Sequence, residues 1–559
     1  MGPTLALSKE LFATKYAGAG ETFEQAMHRI ANALADDRGH YDRLLDILMS
    51  QRFLPAGRIM ASMGSPRKTT AYNCFVSGVI EDSMDSIMLR ATEAAQTMRM
   101  GGGIGYDFSN LRPRGDLIRS LDSHSSGPVS FMGIYNAVCN TIASAGHRRG
   151  AQMAVLRVDH PDVEEFIHAK QNTSSLTAFN ISLGITDEFM EAVRTGASFE
   201  LRFGGRVYRT VDARRLFDEV MRSTWDWAEP GVLFIDRINQ QNNLRWCESI
   251  TATNPCSEQP LPPNGACLLG SFNLTKYGAD YTHAQLKVDI HTVVRAMDNV
   301  VDRTIYPLPA QEAEAKAKRR MGLGVTGLAN AVEAFGYHYG SAGFVQQTNA
   351  ILSTIKNETY KASALLAKEK GSFPAFNKDA YINAPFIMSL APEVRNLIAQ
   401  CGIRNSHLLS IAPTGTISLV ADNISSGIEP VFAHEYDRTV QTPAGPRVER
   451  VADWGLTNRG VRGKIAGECS TDDHLRVLLA AQQHVDSAVS KTVNVGEGVS
   501  FDEFKDIYTK AYNGGAKGLS TFRLNGKRMG ILNSDVESVQ GSPEFCTFDP
   551  TTGERSCAA

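Results

Sequence analysis

The chain has 559 residues and 43% of them are hydrophobic, which is enough to bury a large core. Its formal charge of -3 leaves no basic surplus, so a nucleic-acid polymer is not an expected partner. Its nine cysteines are too sparse for a secreted disulfide scaffold, and no apolar run reaches the ~18 residues of a membrane span. We therefore expect a globular, cytoplasmic protein without an export signal.

The N-terminal part and the body of the chain differ in their apolar pattern. Residues 21–52 carry apolar side chains at helical spacing, which predicts a helical N-terminal region over residues 1–69 with a break at residues 54–57. Residues 70–535 alternate short apolar runs with amphipathic stretches. This alternation is typical of an α/β body.

A cysteine and a glycine cluster lie near the start of the body, as Cys74 and residues 101–105. The cluster resembles a nucleotide-binding loop, but the pattern before it is helical and Pro113 would break any helix after it. We therefore reject a dinucleotide fingerprint. We interpret the glycines as positions where the backbone passes close to a ligand.

A basic loop follows at residues 145–151, where Arg148 and Arg149 are flanked by glycines. Two guanidinium groups on a flexible loop suit contact with a phosphate or a nucleobase. A solvated basic turn is the alternative, and the pattern leaves both open.

An amide, a thiol and a carboxylate stand at alternate positions as Asn254, Cys256 and Glu258. An extended segment points alternate side chains the same way, so we expect these three groups to share one face. A cysteine beside a carboxylate can be a thiolate nucleophile or a hydrogen-atom donor, and spacing alone does not choose between them. Another thiol, Cys267, follows closely, and a small apolar core residue is the alternative role for each cysteine.

A turn after the apolar run 408–411 combines backbone N–H groups with three hydroxyls around a glycine. Such a turn suits a phosphate, particularly where a helix begins, although an ordinary strand-to-helix turn has the same pattern. The candidate phosphate-binding residues are Pro413, Thr414, Gly415, Thr416, Ile417 and Ser418.

The C-terminal segment, residues 536–559, has little apolar periodicity and contains Cys546 and Cys557. We predict a mobile tail whose two thiols can shuttle electrons. A structural zinc site usually has four ligands, so two tail thiols predict no metal site.

Taken in order over residues 50–535, these motifs resemble the catalytic subunit of ribonucleotide reductase. The resemblance implies a ten-stranded α/β barrel whose central finger loop carries a cysteine that becomes a thiyl radical, at the position of Cys256. In this family the radical removes the 3′ hydrogen of the ribose. The resemblance implies that Glu258 accepts the proton of the 3′ hydroxyl and that Asn254 holds the sugar hydroxyls by hydrogen bonds.

The same resemblance implies roles for the remaining thiols. Cys74 and Cys267 would face each other across the site, protonate the departing 2′ hydroxyl and end as a disulfide. Cys546 and Cys557 resemble the C-terminal pair that reduces this disulfide before thioredoxin or glutaredoxin resets it, although their spacing is wider than usual for the family. The substrate phosphates would rest on residues 413–418.

A deoxynucleotide or ATP effector is also implied, near residues 81–83 and 110–113. Asp82 and Arg112 are the candidate contacts, and Arg148 is the candidate relay from the effector to the substrate base. Because such effector sites lie at a subunit interface in this family, the resemblance implies a homodimer.

Residues 517–523, which lie late in the predicted barrel, indicate the radical source. Members that depend on a ferritin-like di-metal subunit usually have two adjacent tyrosines there, whereas residues 517–523 contain none. Lys517, Gly518 and the phosphate turn look more like the adenosylcobalamin-dependent class, so we favour adenosylcobalamin and a diphosphate substrate. The alternatives are a chain served by a ferritin-like partner and, from another class of function, a catalytically inactive nucleotide-binding regulator.

Overall fold

The computed structural model describes residues 2–119, 121–142, 150–172, 174–278, 284–442, 445–523, 526–527, 546–548 and 555–557. The helices are α1 (Ala6–Lys15), α2 (Phe23–Leu34), α3 (Arg38–Met49), α4 (Gly57–Ser62), α5 (Met84–Arg99), α6 (Pro128–Thr141), α7 (Val163–His168), α8 (Asp187–Thr195), α9 (Ala213–Trp227), α10 (Ile235–Gln240), α11 (Ala284–Arg303), α12 (Pro309–Lys318), α13 (Leu328–Glu333), α14 (Ala342–Lys370), α15 (Lys378–Ile382), α16 (Pro385–Met388), α17 (Pro392–Cys401), α18 (Gly415–Val420), α19 (Trp454–Arg459), α20 (Thr471–Gln482) and α21 (Phe501–Gly514).

The strands are β1 (Phe53–Pro55), β2 (Cys74–Val76), β3 (Gly103–Asp107), β4 (Leu117–Ile118), β5 (Ser123–His124), β6 (Gln152–Arg157), β7 (Phe179–Ile185), β8 (Ser198–Phe203), β9 (Arg206–Asp212), β10 (Gly231–Phe234), β11 (Ala252–Thr253), β12 (Pro260–Leu261), β13 (Ala266–Cys267), β14 (Leu269–Asn273), β15 (Gly322–Thr326), β16 (Glu435–Thr442), β17 (Gly445–Ala452), β18 (Thr492–Val495), β19 (Gly518–Arg523), β20 (Cys546–Phe548) and β21 (Arg555–Cys557). Short 3₁₀ helices lie at Leu274–Lys276 and Ala466–Glu468.

The N-terminal region is helical, as its apolar spacing predicts. Helix α2 is preceded by Thr22, whose hydroxyl accepts a hydrogen bond from the Gln25 backbone N–H, and the Gln25 side chain accepts one from the Thr22 N–H. Helix α3 is capped in a similar way by Asp37. Both helices pack their apolar faces against α11 in the main hydrophobic core.

The predicted break at residues 54–57 is where the N-terminal region joins the barrel. Strand β1 pairs antiparallel with β14, and Phe53 lies opposite Phe272 with the ring centroids 5.2 Å apart. The purely helical prediction therefore misses a strand, because three residues are too few to show a strand period.

The body is a barrel of two groups of five strands. In the first group β2, β3, β6, β7 and β10 run parallel. In the second group β14 pairs parallel with β15, and β18 pairs parallel with β19. The segment 408–411 is the middle strand of this group, because single parallel bridges join it to β15 on one side and to Val489, shortly before β18, on the other. The antiparallel pairs β2–β13 and β10–β19 join the groups. The ten-stranded α/β barrel expected from the resemblance is confirmed.

The finger loop, residues 252–261, fills the barrel. Alternate residues of β2, β6 and β10 pack with Ala252 and Leu261 in one hydrophobic cluster, while the intervening residues pack in the outer core. The cluster that contains the finger loop is therefore the barrel interior. In the described part of the chain, no helix is both long enough and apolar enough to cross a membrane.

Candidate active site

The tip of the finger loop, residues 254–259, holds Cys256, which is 1% exposed. The Asn254 N–H donates to Gln259 O at 3.1 Å, and the Gln259 N–H donates to Asn254 Oδ1 at 3.0 Å. Ser257 adopts a left-handed conformation with φ of 65°. The segment is therefore a closed turn, and the extended conformation expected from its alternating residues is wrong.

The glycines of β3 allow the finger loop to approach. A Cβ atom on Gly105 would lie 1.8 Å from Thr253 O, and one on Gly103 would lie 3.2 Å from Pro255 Cγ. From β7, Asn180 Nδ2 donates to Pro255 O at 3.1 Å. Gly103 and Gly105 thus allow close backbone approach, as the sequence indicates, and the segment that approaches them is the finger loop.

Cys74 and Cys267 lie directly opposite each other in the antiparallel pair of β2 and β13, and they are 2% and 0% exposed. Directly opposed residues have Cβ atoms about 4.5–5.5 Å apart, close to the distance in a disulfide. Burial raises the pKa of the Cys267 thiol well above its usual value, and the charges of Glu258, Cys74 and Cys256 act in the same direction. The two thiols can therefore store two electrons and two protons beside Cys256.

Glu258 is a buried carboxylic acid beside these thiols. Burial raises the pKa of its carboxyl group to about 7. The Asn254 side chain lies near enough to this carboxyl group to oppose the rise in its pKa, although neither Asn254 Nδ2 nor Glu258 Oε2 makes a hydrogen bond of ordinary geometry with any described residue. The main chain is held in place because the Ala488 N–H donates to Glu258 O at 2.9 Å. This carboxyl group is suited to exchange a proton with a bound molecule.

Three further side chains near the site, those of Asn73, Gln259 and Ser410, are buried and polar. The side-chain amide nitrogen and oxygen of Asn73 and of Gln259, and the hydroxyl oxygen of Ser410, have no hydrogen-bond partner in the described part of the chain. A Cβ on Gly322 would lie 2.1 Å from Gln259 Nε2 and 2.3 Å from Ser410 Oγ, so these two groups converge there. Buried polar groups are nearly always bonded, so these atoms are available to a bound molecule. Sequence reasoning missed them, although Asn73 and Gln259 adjoin reactive residues.

The predicted phosphate turn is the start of α18. Thr414 precedes the helix with φ of 57°, and its hydroxyl accepts from the Gly427 N–H at 2.6 Å. The Ser418 hydroxyl donates to Gly415 O at 2.9 Å, whereas Thr416 is half-buried. Two of the three predicted hydroxyls thus already have protein partners, Ser418 within the turn and Thr414 outside it, and the first N–H groups of the helix are left for an anion.

Two of the predicted effector residues are paired with each other. Arg112 Nε donates to Asp82 Oδ2 at 2.7 Å, and the Arg112 N–H donates to Asp82 Oδ1 at 3.2 Å. Both side chains are 31% exposed, and Asp82 lies just before α5. Arg148, the third candidate, lies outside the described residues.

The tail cysteines belong to a two-stranded ladder. Strands β20 and β21 run antiparallel, and their register sets Cys546 opposite Cys557. The backbone thus brings the two positions together despite the residues between them.

Strand β19 crosses the barrel next to β10 without a tyrosine. Its residues include Ser520 and Phe522, and a Cβ on Gly231 of β10 would lie 3.6 Å from Ser520 Oγ and 2.9 Å from Ser182 Oγ. Ser182 belongs to β7, the strand whose Asn180 contacts the finger loop. A row of small residues therefore runs across three strands on the interior side.

Family comparison agrees with this fold and site. A model described as "Ribonucleotide reductase, barrel domain" matches residues 72–522, and one described as "Ribonucleotide reductase, all-alpha domain" matches residues 6–68. The chain therefore belongs to the ribonucleotide reductase family, as the large, catalytic type of subunit. The domain boundaries at residues 69 and 535 remain predictions.

Within that family the chain is similar to the vitamin B12-dependent, class II members. The vitamin B12-dependent ribonucleoside-diphosphate reductase of Mycobacterium tuberculosis is 34% identical, over 96% of this chain and 81% of the relative. The protein of the same name from Thermoplasma acidophilum is 31% identical, over 94% and 70%. The vitamin B12-dependent ribonucleotide reductase of Streptomyces clavuligerus is 29% identical, over 86% and 59%.

Proposed function

We propose that this chain reduces ribonucleoside diphosphates to 2′-deoxyribonucleoside diphosphates for DNA synthesis, with adenosylcobalamin as the radical source. The observation that carries the proposal is the burial of Cys256 and Glu258 in one barrel with the opposed pair Cys74 and Cys267. The names of the bacterial and archaeal relatives support both the substrate and the cofactor.

Cys256 and Glu258 open the reaction. Adenosylcobalamin, when bound, would supply the one-electron radical chemistry, and Cys256 would give up the hydrogen atom on its Sγ. The Cys256 thiyl then removes the 3′ hydrogen atom of the ribose, while Glu258 accepts the proton of the 3′ hydroxyl. Asn254 Nδ2, which makes no hydrogen bond of ordinary geometry with the described residues, would hold a sugar hydroxyl during this step.

Cys74 and Cys267 complete the reduction. One thiol protonates the 2′ hydroxyl, which leaves as water, and the pair gives up two electrons and two protons in total. A sulfur–sulfur bond forms, the C2′–O bond is replaced by a C–H bond, and Cys256 returns its hydrogen atom to C3′. The opposed register of the two cysteines supports this role because the sulfur–sulfur bond needs little backbone movement.

The residues beside the finger loop fit adenosylcobalamin. The row Ser182, Gly231 and Ser520 carries no bulky side chain on the interior side of the barrel, and Ser182 lies on the strand whose Asn180 holds Pro255. These three residues would lie against the bound group. A radical arriving from another subunit would need oxidisable side chains, whereas β19 carries Phe522, which is much harder to oxidise than tyrosine. These two features favour a radical made in place.

The substrate phosphates would bind at residues 413–418, chiefly to the first N–H groups of α18 and to the Thr416 hydroxyl. A diphosphate places the ribose deeper in the barrel than the turn, toward Glu258. The convergent polar atoms of Gln259 and Ser410 would be available to the same substrate, because Gln259 adjoins Glu258 and Ser410 belongs to the segment that leads to the turn.

Regulation by a deoxynucleotide or ATP would involve Asp82, Arg112 and Arg148. The Asp82–Arg112 pair next to α5 supports this assignment. The same helix exposes Met84, Met88 and Leu89 by 56%, 46% and 50%. An apolar helix face of this kind is suited to pack against a second copy, so we propose a homodimer with the effector at its interface.

The reductant would reach the active site through the tail. The opposed positions of Cys546 and Cys557 support disulfide exchange between this pair and Cys74–Cys267. Thioredoxin or glutaredoxin would then reset the tail.

Anaerobic turnover tests the proposed function. The purified chain is incubated with adenosylcobalamin, dithiothreitol, a deoxynucleotide effector and either cytidine diphosphate or cytidine triphosphate. We expect deoxycytidine diphosphate, with the diphosphate preferred. Absence of product, with activity restored by a metal-loaded ferritin-like subunit, would overturn the cofactor assignment, and preference for the triphosphate would overturn the substrate assignment.

A further inference from the structure

A buried lysine next to the active site has no role in the reaction described above. Lys517, just before β19, is 2% exposed. Its ammonium group donates to Asp486 O at 2.6 Å and to Ser487 O at 2.7 Å. Burying an ammonium group is costly, so a buried lysine that holds main-chain carbonyls calls for a specific explanation.

The carboxylate of Asp486 holds a second segment. It accepts hydrogen bonds from the Leu408 N–H at 2.7 Å and the Leu409 N–H at 3.1 Å. It also accepts from the Tyr360 hydroxyl at 2.6 Å, and that hydroxyl is in turn held by Asn243. Leu408 and Leu409 begin the segment that runs directly into the phosphate turn, so Asp486 fixes the approach to that turn.

Ala488, two residues after Asp486, connects the segment 408–411 to the finger loop. Its N–H donates to Glu258 O at 2.9 Å, and its carbonyl oxygen accepts from the Ile411 N–H at 3.1 Å. The Ser490 N–H then donates to Ile411 O at 2.8 Å. Residues 486–490 are thus hydrogen-bonded on one side to the residue that exchanges protons and on the other to the strand before the phosphate turn.

We propose that Lys517 and Asp486 are positioning residues that set the separation between Glu258 and the phosphate turn, and so align the ribose with Cys256. This inference rests on the proposed function, because it assigns Glu258 and the turn to two ends of one substrate. A displacement of about 1 Å at a reacting centre can lower a rate about a hundredfold, which is the size of effect at stake.

The test compares Lys517→Met with Lys356→Met. Lys356 of α14 is also buried and also donates to a main-chain carbonyl, Ser389 O at 3.3 Å, and its ammonium group lies 5.6 Å from the centre of the Phe386 ring. In the described part of the chain it makes no hydrogen bond to a site residue named above. Both variants lose a buried ammonium group and keep a long side chain. They therefore share the general cost to stability.

We expect Lys517→Met to lower kcat about 30- to 100-fold while KM for cytidine diphosphate changes less than about threefold, because the phosphate contacts persist. The rate of a single turnover by pre-reduced protein, normalised to deoxycytidine diphosphate formed per chain, excludes unfolded material from this measurement. Lys356→Met is expected to keep kcat within about twofold of wild type. Asp486→Asn keeps the side-chain shape and is expected to show the same loss in kcat. It provides the test if Lys517→Met does not fold.

The proposal is overturned if Lys517→Met and Asp486→Asn turn over within about twofold of wild type, or if Lys356→Met loses as much kcat as they do. An inactive wild-type protein in the same assay would contradict the proposed function instead. The two failures are therefore distinguishable.

Discussion

At the scale of single residues, Cys256 differs in its surroundings from Cys139 and Cys469, two buried cysteines outside the barrel interior. Cys139 and Cys469 pack with apolar side chains in the outer core. Cys256 lies inside the barrel on a turn whose closing residue, Asn254, and whose neighbour, Glu258, both have buried polar atoms without partners among the described residues. A thiol in this setting is available for chemistry rather than for packing.

We expect Cys256→Ser to lower ribonucleotide reduction on the order of a thousandfold or more, because a hydroxyl does not give up its hydrogen atom as a thiol does. Product formation is measured by chromatography, and binding of cytidine diphosphate and of the effector by calorimetry. Binding is expected to be unchanged. Cys469→Ser is the matched control and is expected to keep its activity. Retained turnover in Cys256→Ser would remove Cys256 from its role.

Glu258 gives the reaction a pH dependence. Its carboxyl group must be ionised to accept a proton, and its pKa is about 7, so kcat/KM is expected to rise about tenfold per pH unit below pH 7 and to level off above it. A pH–rate profile on reduced enzyme with saturating cofactor measures this. A profile that is already flat between pH 5 and 7 would exclude Glu258 as the base.

The same carboxyl group links folding to pH. Its pKa in the folded state, about 7, exceeds the ordinary value of 4.5, so the folded state binds more protons between these values. The associated stability is fully present below pH 4.5 and is lost as the pH rises through 7, and the difference corresponds to about 3 kcal/mol at most. The difference in free energy of unfolding between Glu258→Gln and wild type is therefore expected to favour the variant more at pH 8 than at pH 5. Urea unfolding at the two pH values measures this difference.

At the scale of elements, the barrel strands are shaped to admit the finger loop. Gly105→Ala would place a methyl group 1.8 Å from a main-chain oxygen of that loop, and main chain cannot rotate away as a side chain can. We expect a loss of about 3 kcal/mol or more in the free energy of unfolding and nearly complete loss of turnover.

Gly184→Ala is the matched control for this substitution. Gly184 is a buried strand glycine of β7, but its Cβ would meet nothing closer than 3.7 Å. We expect it to change stability by less than about 1 kcal/mol and to stay active. Equal effects of the two substitutions would show that the finger loop does not require Gly105.

Sequence reasoning is most informative where the candidate residues are neighbours in the chain. Asn254, Cys256 and Glu258 could be selected from one short segment, although their turn could not be foreseen because Gln259 closes it through hydrogen bonds. The partner of Gly105 could not be predicted, because the finger loop is remote in sequence and meets the glycine inside the folded barrel. The contacts of Lys517 were hidden for the same reason.

At the scale of the whole molecule, helix α5 carries the apolar face that we propose as the dimer interface. Met88→Glu would put a charge into the exposed apolar face that we assign to the dimer, so we expect a monomer at micromolar concentration by analytical ultracentrifugation and a loss of the response to effectors. Val288→Glu, a change of a 51%-exposed residue on α11, is the control and is expected to leave the dimer intact. A dimeric Met88→Glu variant would move the interface elsewhere.

Cys74 and Cys267 are 2% and 0% exposed, so the size of an electron donor decides whether it can reach them. A folded reductant is too broad to enter a barrel filled by its own finger loop, whereas a small dithiol or a single peptide strand is narrow enough. A donor that belongs to the same chain also has a local concentration set by its tether rather than by dilution. If the tail reduces the buried pair as we propose, that reduction is a first-order step. Dilution of the enzyme is then expected to slow the reduction of the tail by an external donor and to leave the rate of reduction of Cys74 and Cys267 unchanged.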